Sequence, residues 1–207
     1  VHLSNFLEDE ILDHILGTGA YTSPTVYGAL HDDAPGETGA NELSGGSYAR
    51  QTIAFGAASG GTASNSAQEE WDLTGVTSGE VLFVGLFDAL TVGNFLWSVP
   101  LGGTPFTFTL ATSTEVATSY DHTLADDDRV VVAAAPGSAL PTGLSEDTVY
   151  WVVSTGTDVF GMSATQGGAE VATTVDGEGI AFLVDAKAFN SGDTFRIAAG
   201  DLDVYID

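Results

Sequence analysis

The sequence predicts a mainly β protein: a β-sandwich with one N-terminal amphipathic helix and an inserted small β domain. Three observations lead there. Glycine is frequent (26 of 207 residues), proline is rare (six), and Thr, Val, Ala and Ser fill much of the remainder, a mixture suited to short strands joined by tight turns. Only the opening stretch carries the three- and four-residue hydrophobic spacing of a helix. The middle of the chain has its own strand and turn pattern, while the segments flanking it make sense joined directly. With 43% hydrophobic residues the chain can bury the core of one large β domain or two small ones.

The helix is read from LSNFLEDEILDHILG, where Leu3, Leu7, Ile11 and Ile15 recur with Leu12 and Leu16 beside them. Ser4 or Asn5 can cap its start, Glu8 stands three residues after Asn5 as in a capping box, and Glu8, Asp9 and Glu10 suit the positive end of the helix dipole. Gly17 stops it. Such a helix is expected to lie on a sheet or on a neighbouring subunit, which makes Leu3, Leu7, Ile11 and Ile15 the candidate assembly contacts.

From Tyr21 the period becomes that of strands. TVYGAL is followed by the turn-rich HDDAPGETGANELSGG and then by YARQTIAFGA, in which Tyr48, Arg50, Thr52 and Ala54 alternate with Ala49, Gln51, Ile53 and Phe55. A Gly/Ser/Asn-rich link from Ser59 to Ser66 leads to a short strand around Glu70 to Leu73. The apolar run VLFVGLFDA, Val81 to Ala89, reads as a central strand, and FLWSVPL follows the turn at Gly93 and Asn94. The closing DTFRIAAGDLDVYID reads as a hairpin or bent strand pair around Ala199 and Gly200. Residues 1–102 and 186–207 are therefore assigned to one β body, with 103–185 as an insert at a hairpin tip, where little backbone hydrogen bonding is broken. Inside the insert, strands are expected at Asp128 to Ala135, Thr148 to Thr155, Asp158 to Ala164 and Gly179 to Val184.

Charge narrows the partners. Twenty-nine acidic residues face four basic ones, Arg50, Arg129, Lys187 and Arg196, giving a formal charge of −25. A phosphate-binding surface needs clustered cations, so neither nucleic acid nor an anionic membrane is an expected partner. The same excess suits a protein working in salt, which screens repulsion among carboxylates. There is no cysteine, hence no disulfide framework and no thiolate chemistry. No basic region followed by an apolar core opens the sequence, and no run of about 18 apolar residues occurs, so a soluble chain without a Sec-type leader is expected.

The search for chemistry returns nothing organised. His2, His14, His31 and His122 are scattered without metal-ligand spacing, and a structural role is expected for each: His14 near the helix C-terminus, His31 in a turn before Asp32 and Asp33, His122 after Asp121. Asp126, Asp127 and Asp128 could offer oxygens to a hard cation, but Arg129 and three valines stand where further ligands would be needed. GGSYA around Ser47 lacks the closing glycine of a nucleophile elbow, and Lys187 follows no phosphate loop. No catalytic residue, metal or cofactor is assigned. A glycan hydrolase would need two facing carboxylates about 5 to 10 Å apart, which sequence cannot display. Trp71, Trp97, Trp151, Tyr120, Tyr150 and Phe160 could stack on sugar rings or fill a core; Tyr120 and Trp151 are the candidate stacking residues for a host-surface glycan.

The stretch from LSNFLEDEILDHILG through ELSGGSYARQTIAFGAASGG, with VGLFDA, GNFLW and the closing SGDTFRIAAGDLDVYID, resembles a family of small tailed-phage virion proteins labelled tail fibre or minor tail protein. The insert, with LPTGL, TVYWVV, DVFGMSAT and DGEG, resembles a β module that recurs inside phage tail and virion-surface proteins. The resemblance implies a structural, non-enzymatic component on the virion surface, at the tail or the capsid exterior, in contact with other virion proteins and with copies of itself as a homo-oligomer. A capsid decoration or turret protein and a carbohydrate-binding host-attachment module are the alternatives. Within ELSGGSYAR, Gly45 and Gly46 are expected to supply positive φ, and Tyr48 and Arg50 to anchor the loop.

Overall fold

The opening helix begins where a capping hydroxyl is available and ends at the first glycine. In the computed structural model, which describes residues 3–102, 105–112, 116–120, 122–135 and 137–205, α1 spans Asn5–Leu16. Ser4, rather than Asn5, is its cap: the Ser4 hydroxyl accepts from the Leu7 N–H at 3.3 Å, and Gly17 closes the helix in the left-handed conformation at φ 74°. Ser4 is also buried, its hydroxyl donating to the Phe95 carbonyl (2.5 Å) and its N–H to the Leu96 carbonyl (3.0 Å), so cap and tether are one residue.

Seven strands follow: β1 (Tyr27–His31), β2 (Gln51–Thr52), β3 (Thr62–Ser64), β4 (Glu69–Asp72), β5 (Gly79–Val81), β6 (Phe83–Phe87) and β7 (Phe95–Pro100). The chain then forms β8 (Phe106–Leu110), β9 (Ala117–Thr118), β10 (Arg129–Ala134), β11 (Val149–Val153), β12 (Val159–Ser163) and β13 (Gly177–Val184). It returns for β14 (Lys187–Phe189), β15 (Thr194–Ile197) and β16 (Asp203–Tyr205). Two units result, one running to Val99 and resuming at Lys187, the other Pro100–Ala186. The protein is mainly β with one N-terminal helix, but a sandwich is not its plan. The first unit holds a four-stranded sheet, β2-β1-β6-β7, and three two-stranded ones, β14-β5, β15-β4 and β16-β3; the second is a closed six-stranded barrel.

In the first unit side-chain anchoring replaces regular ladder. The expected strand over YARQTIAFGA shrinks to β2, because Tyr48 turns its hydroxyl to accept the Leu30 N–H (2.8 Å) and Arg50 is committed to side-chain partners. The apolar run at Val81 breaks between β5 and β6, where the Leu82 N–H turns to the His31 carbonyl (2.8 Å). The closing segment is a bent strand pair and not a hairpin: β15 pairs with β4 and β16 with β3. Asn65 makes the bend, its carbonyl oxygen accepting from the Gly200 and Leu202 N–H groups and its amide donating to the Ala198 carbonyl. Trp71 and Leu73 are wholly buried, and the Trp71 indole N–H donates to the Gly28 carbonyl at 3.1 Å.

The barrel order is β10-β11-β12-β9-β8-β13, closed because β13 pairs with β10 on one edge and β8 on the other. Closure leaves no unpaired edge. Alternate residues point inward: Val130 and Val132, Tyr150 and Val152, Phe160 and Met162, Phe108 and Leu110, with Ala181. Two of the sequence signatures meet here. A Cβ on Gly177 would strike Ala139 and Pro141, and one on Gly179 would come within 2.8 Å of Leu140 and Phe108, so the DGEG glycines make room for the LPTGL turn. Strands β8 and β9 add to the four expected in this segment.

Candidate assembly surface

Helix α1 is attached to its unit mainly through its first turn. Besides the Ser4 bonds, Leu3 forms an isolated antiparallel bridge with Trp97, and the Asn5 N–H donates to Glu37 Oε2 at 2.7 Å. Phe6, Leu7 and Ile11 are half-buried, but no residue of the helix is fully buried. Leu12, Ile15 and Leu16 stand 55%, 71% and 71% exposed on the last two turns. The four predicted contacts are therefore divided: Leu3 bridges to Trp97, Leu7 packs among the chain's own strands, Ile11 is half-buried, and Ile15 is bare.

Beside Leu7 lies a groove of about 280 Å³, also lined by Tyr21, Ser23, Pro24, Val26, Phe55, Ala63, Leu86, Leu96, Trp97 and Val204. Its walls come from positions far apart in sequence, Leu86, Leu96 and Trp97 of β6 and β7 with Ala63 of β3 and Val204 of β16. Two buried polar atoms on this wall, Tyr21 Oη and Trp97 Nε1, have no hydrogen-bond partner among the described residues. Burial, then the charges of Asp88 and Glu10, push the Tyr21 phenol above its ordinary pKa. Helical spacing points to Leu7 but nothing in it points to Tyr21 or Trp97 as wall residues; the apolar run that opens FLWSVP is the available signal.

The ELSGGSYAR segment is a lock. Arg50 binds Glu42 through Nε (3.0 Å to Oε1) and Nη2 (2.7 Å to Oε2), and its Nη1 donates to the Ala89 and Val92 carbonyls. Its guanidinium carbon lies 3.4 Å from the Phe87 ring centroid. The Tyr48 hydroxyl donates to Glu42, and burial pushes its pKa upward. Gly45 and Gly46 take φ of 92° and 55°, and a Cβ on Gly46 would collide with the Thr74 carbonyl. His31, expected in a turn, instead ends β1 inside the core: its ring stacks on Phe87 and Nδ1 lies 2.7 Å from the Ala40 carbonyl.

The other candidates are dispersed. Tyr120 is 81% exposed, whereas Trp151 is half-buried with the Arg129 guanidinium 4.3 Å over its ring. On β12, Ser163 pairs with Trp151 and Val159 with Thr118, so the two aromatics belong to opposite ends of that strand, about 13 Å or more apart at the rise of a strand. Trp71, Trp97, Tyr150 and Phe160 are buried. Asp126 accepts from the N–H and hydroxyl of Thr155, which hold its carboxyl below the usual range, and Asp128 accepts from the Ala125 N–H; the acidic triplet is a turn fastened by its own hydrogen bonds. His14 is exposed on α1 and His122 packs edge-on against Phe160. His2 and Asp121 lie outside the described residues. Among the described residues no helix is long and apolar enough to cross a membrane, and no group of three or more His, Cys, Asp or Glu could hold a metal ion.

Comparison with known proteins gives the chain a family. Residues 2–119 match the family Gp80, described as Podophage GP4 fiber I protein gp80. The match covers more than half of the 207 residues, and the chain belongs to this phage tail fibre family. No curated protein matches the chain.

Proposed function

We propose that the chain is a structural component of a podophage tail fibre that works by assembly contacts, with α1 and the adjoining groove joining it to other virion proteins and the barrel unit exposed on the particle surface. The observation that carries this reading is the bareness of Leu12, Ile15 and Leu16 on the last two turns of a helix anchored mainly through its first. Apolar side chains grouped on one helix and left in water are a cost that burial against a partner removes. Fibre membership supplies the setting, since fibre proteins are built into virions beside other proteins. Copies of the chain are expected in symmetric arrangement, as virions repeat their parts. The proposal is tested by quantitative mass spectrometry of heads and tails separated from purified particles. A chain confined to tails, at a small fraction of the major capsid protein, is the expected result; near-equal copy number with capsid protein in heads would make it a capsid decoration protein instead.

A further inference from the structure

We infer that the groove beside α1 is the seat of an apolar segment carrying Lys or Arg and belonging to a different virion protein. The inference rests on the fibre reading above and names the partner's chemistry. The floor is apolar, formed by Leu7, Val26, Phe55, Leu86, Leu96 and Trp97, so the entering side chains are apolar. The rim carries acid: Glu10, on the same helix as Leu7, and Asp88 both act electrostatically on Tyr21 in the groove wall. A partner with cations beside its apolar residues complements both. The indole N–H of Trp97, buried in the groove wall, has no acceptor among the described residues.

A second copy fits this seat poorly. At −25 formal charge it brings chiefly carboxylates. Of its four cations, Arg50 and Arg196 are ion-paired with Glu42 and Glu70, Arg129 lies over Trp151, and the fourth, Lys187, stands on β14 with no other Lys or Arg on that strand. The acidic rim of one copy would meet the same rim of the next.

The chain has no cysteine, so Ser23→Cys places a unique thiol on the exposed edge of the groove. The full chain, labelled there with benzophenone maleimide, is supplied to assembling particles that lack the chain, irradiated, and the cross-linked peptides sequenced. The expected product joins the labelled thiol to another virion protein at a stretch where Lys or Arg adjoins apolar residues. A product joining two copies of this chain, or none in particles that contain it, overturns the inference. Failure of the chain to enter particles at all overturns the fibre reading beneath it. Independently, Ala63→Trp fills the groove and should lower incorporation roughly tenfold or more, with the thermal unfolding midpoint of the isolated chain kept; incorporation of a folded A63W chain at the normal level also overturns the inference.

Discussion

Arg50→Ala is expected to lower the stability of the first unit by about 3–5 kcal/mol, the cost of leaving one half of a buried ion pair uncompensated. The Arg50 side chain is only 9% exposed and Glu42 23%, so little water replaces the lost partner. The substitution also frees the Ala89 and Val92 carbonyls. That loop carries strain: Val92 is β-branched yet sits at φ 58°, a region such residues rarely adopt, and Arg50 is one of the groups that hold it there. Arg50→Lys should restore less than half of the loss, because an ammonium cannot make the forked contact with Glu42 and reach both carbonyls. Urea unfolding followed by tryptophan fluorescence in a Trp151→Phe background, which leaves Trp71 and Trp97 as reporters of this unit, measures both variants. A loss below about 1 kcal/mol for Arg50→Ala, the scale of a surface ion pair, would show that the lock is not structural.

His31 should make the same unit acid-sensitive. Burial, assisted by the charge of Arg50, lowers its pKa to about 4, while the bond to Ala40 and the charge of Glu42 work the other way. The Nδ1–H donates to the Ala40 carbonyl, leaving Nε2 as a lone pair against Gly85 and the Phe95 ring, with no partner among the described residues. Protonation would place an N–H there without an acceptor. In the unfolded chain the imidazole titrates near 6.5, so between about pH 6.5 and pH 4 the unfolded state binds the proton and the folded state does not. The contribution is complete above about pH 6.5, falls as pH drops through this window, and amounts to about 3 kcal/mol in all. NMR titration of the ring nitrogens should find His31 neutral down to about pH 4.5, and the acid slope of stability should flatten in His31→Asn. A His31 titration near 6.5 would contradict the buried neutral ring.

Local features of this fold are legible in the sequence and closure is not. The helix can be read nearly to its last residue, since Gly17 and the capping hydroxyl act over a few residues. β1, β4, β7 and the strands β10 to β13 follow from short alternating or continuous apolar runs bounded by turn residues. The C-terminal hairpin does not form because DTFRI and DVY each find a strand more than a hundred residues earlier, a choice made by tertiary pairing rather than local pattern. β8 carries a clear signal, Phe106, Phe108 and Leu110 alternating with Thr107 and Thr109, but it stands among turn residues at the start of the insert and its partner β13 lies far along the chain. The candidate surface divides in the same way. Leu7 and Ile15 follow from helical spacing, but the groove needs Tyr21, Trp97 and Val204 to converge, and no spacing rule joins them. Arg50 is visible as an anchor, whereas its bond to Val92 depends on a strained turn that sequence does not announce.

Electron microscopy of intact particles labelled with a gold-conjugated antibody raised against the barrel unit, Pro100–Ala186, tests the central claim, a surface-exposed tail fibre component, most directly. Gold at the tail fibres without disruption of the particle is the predicted result. Gold distributed over the head, or intact particles that bind none while disrupted particles do, would contradict it.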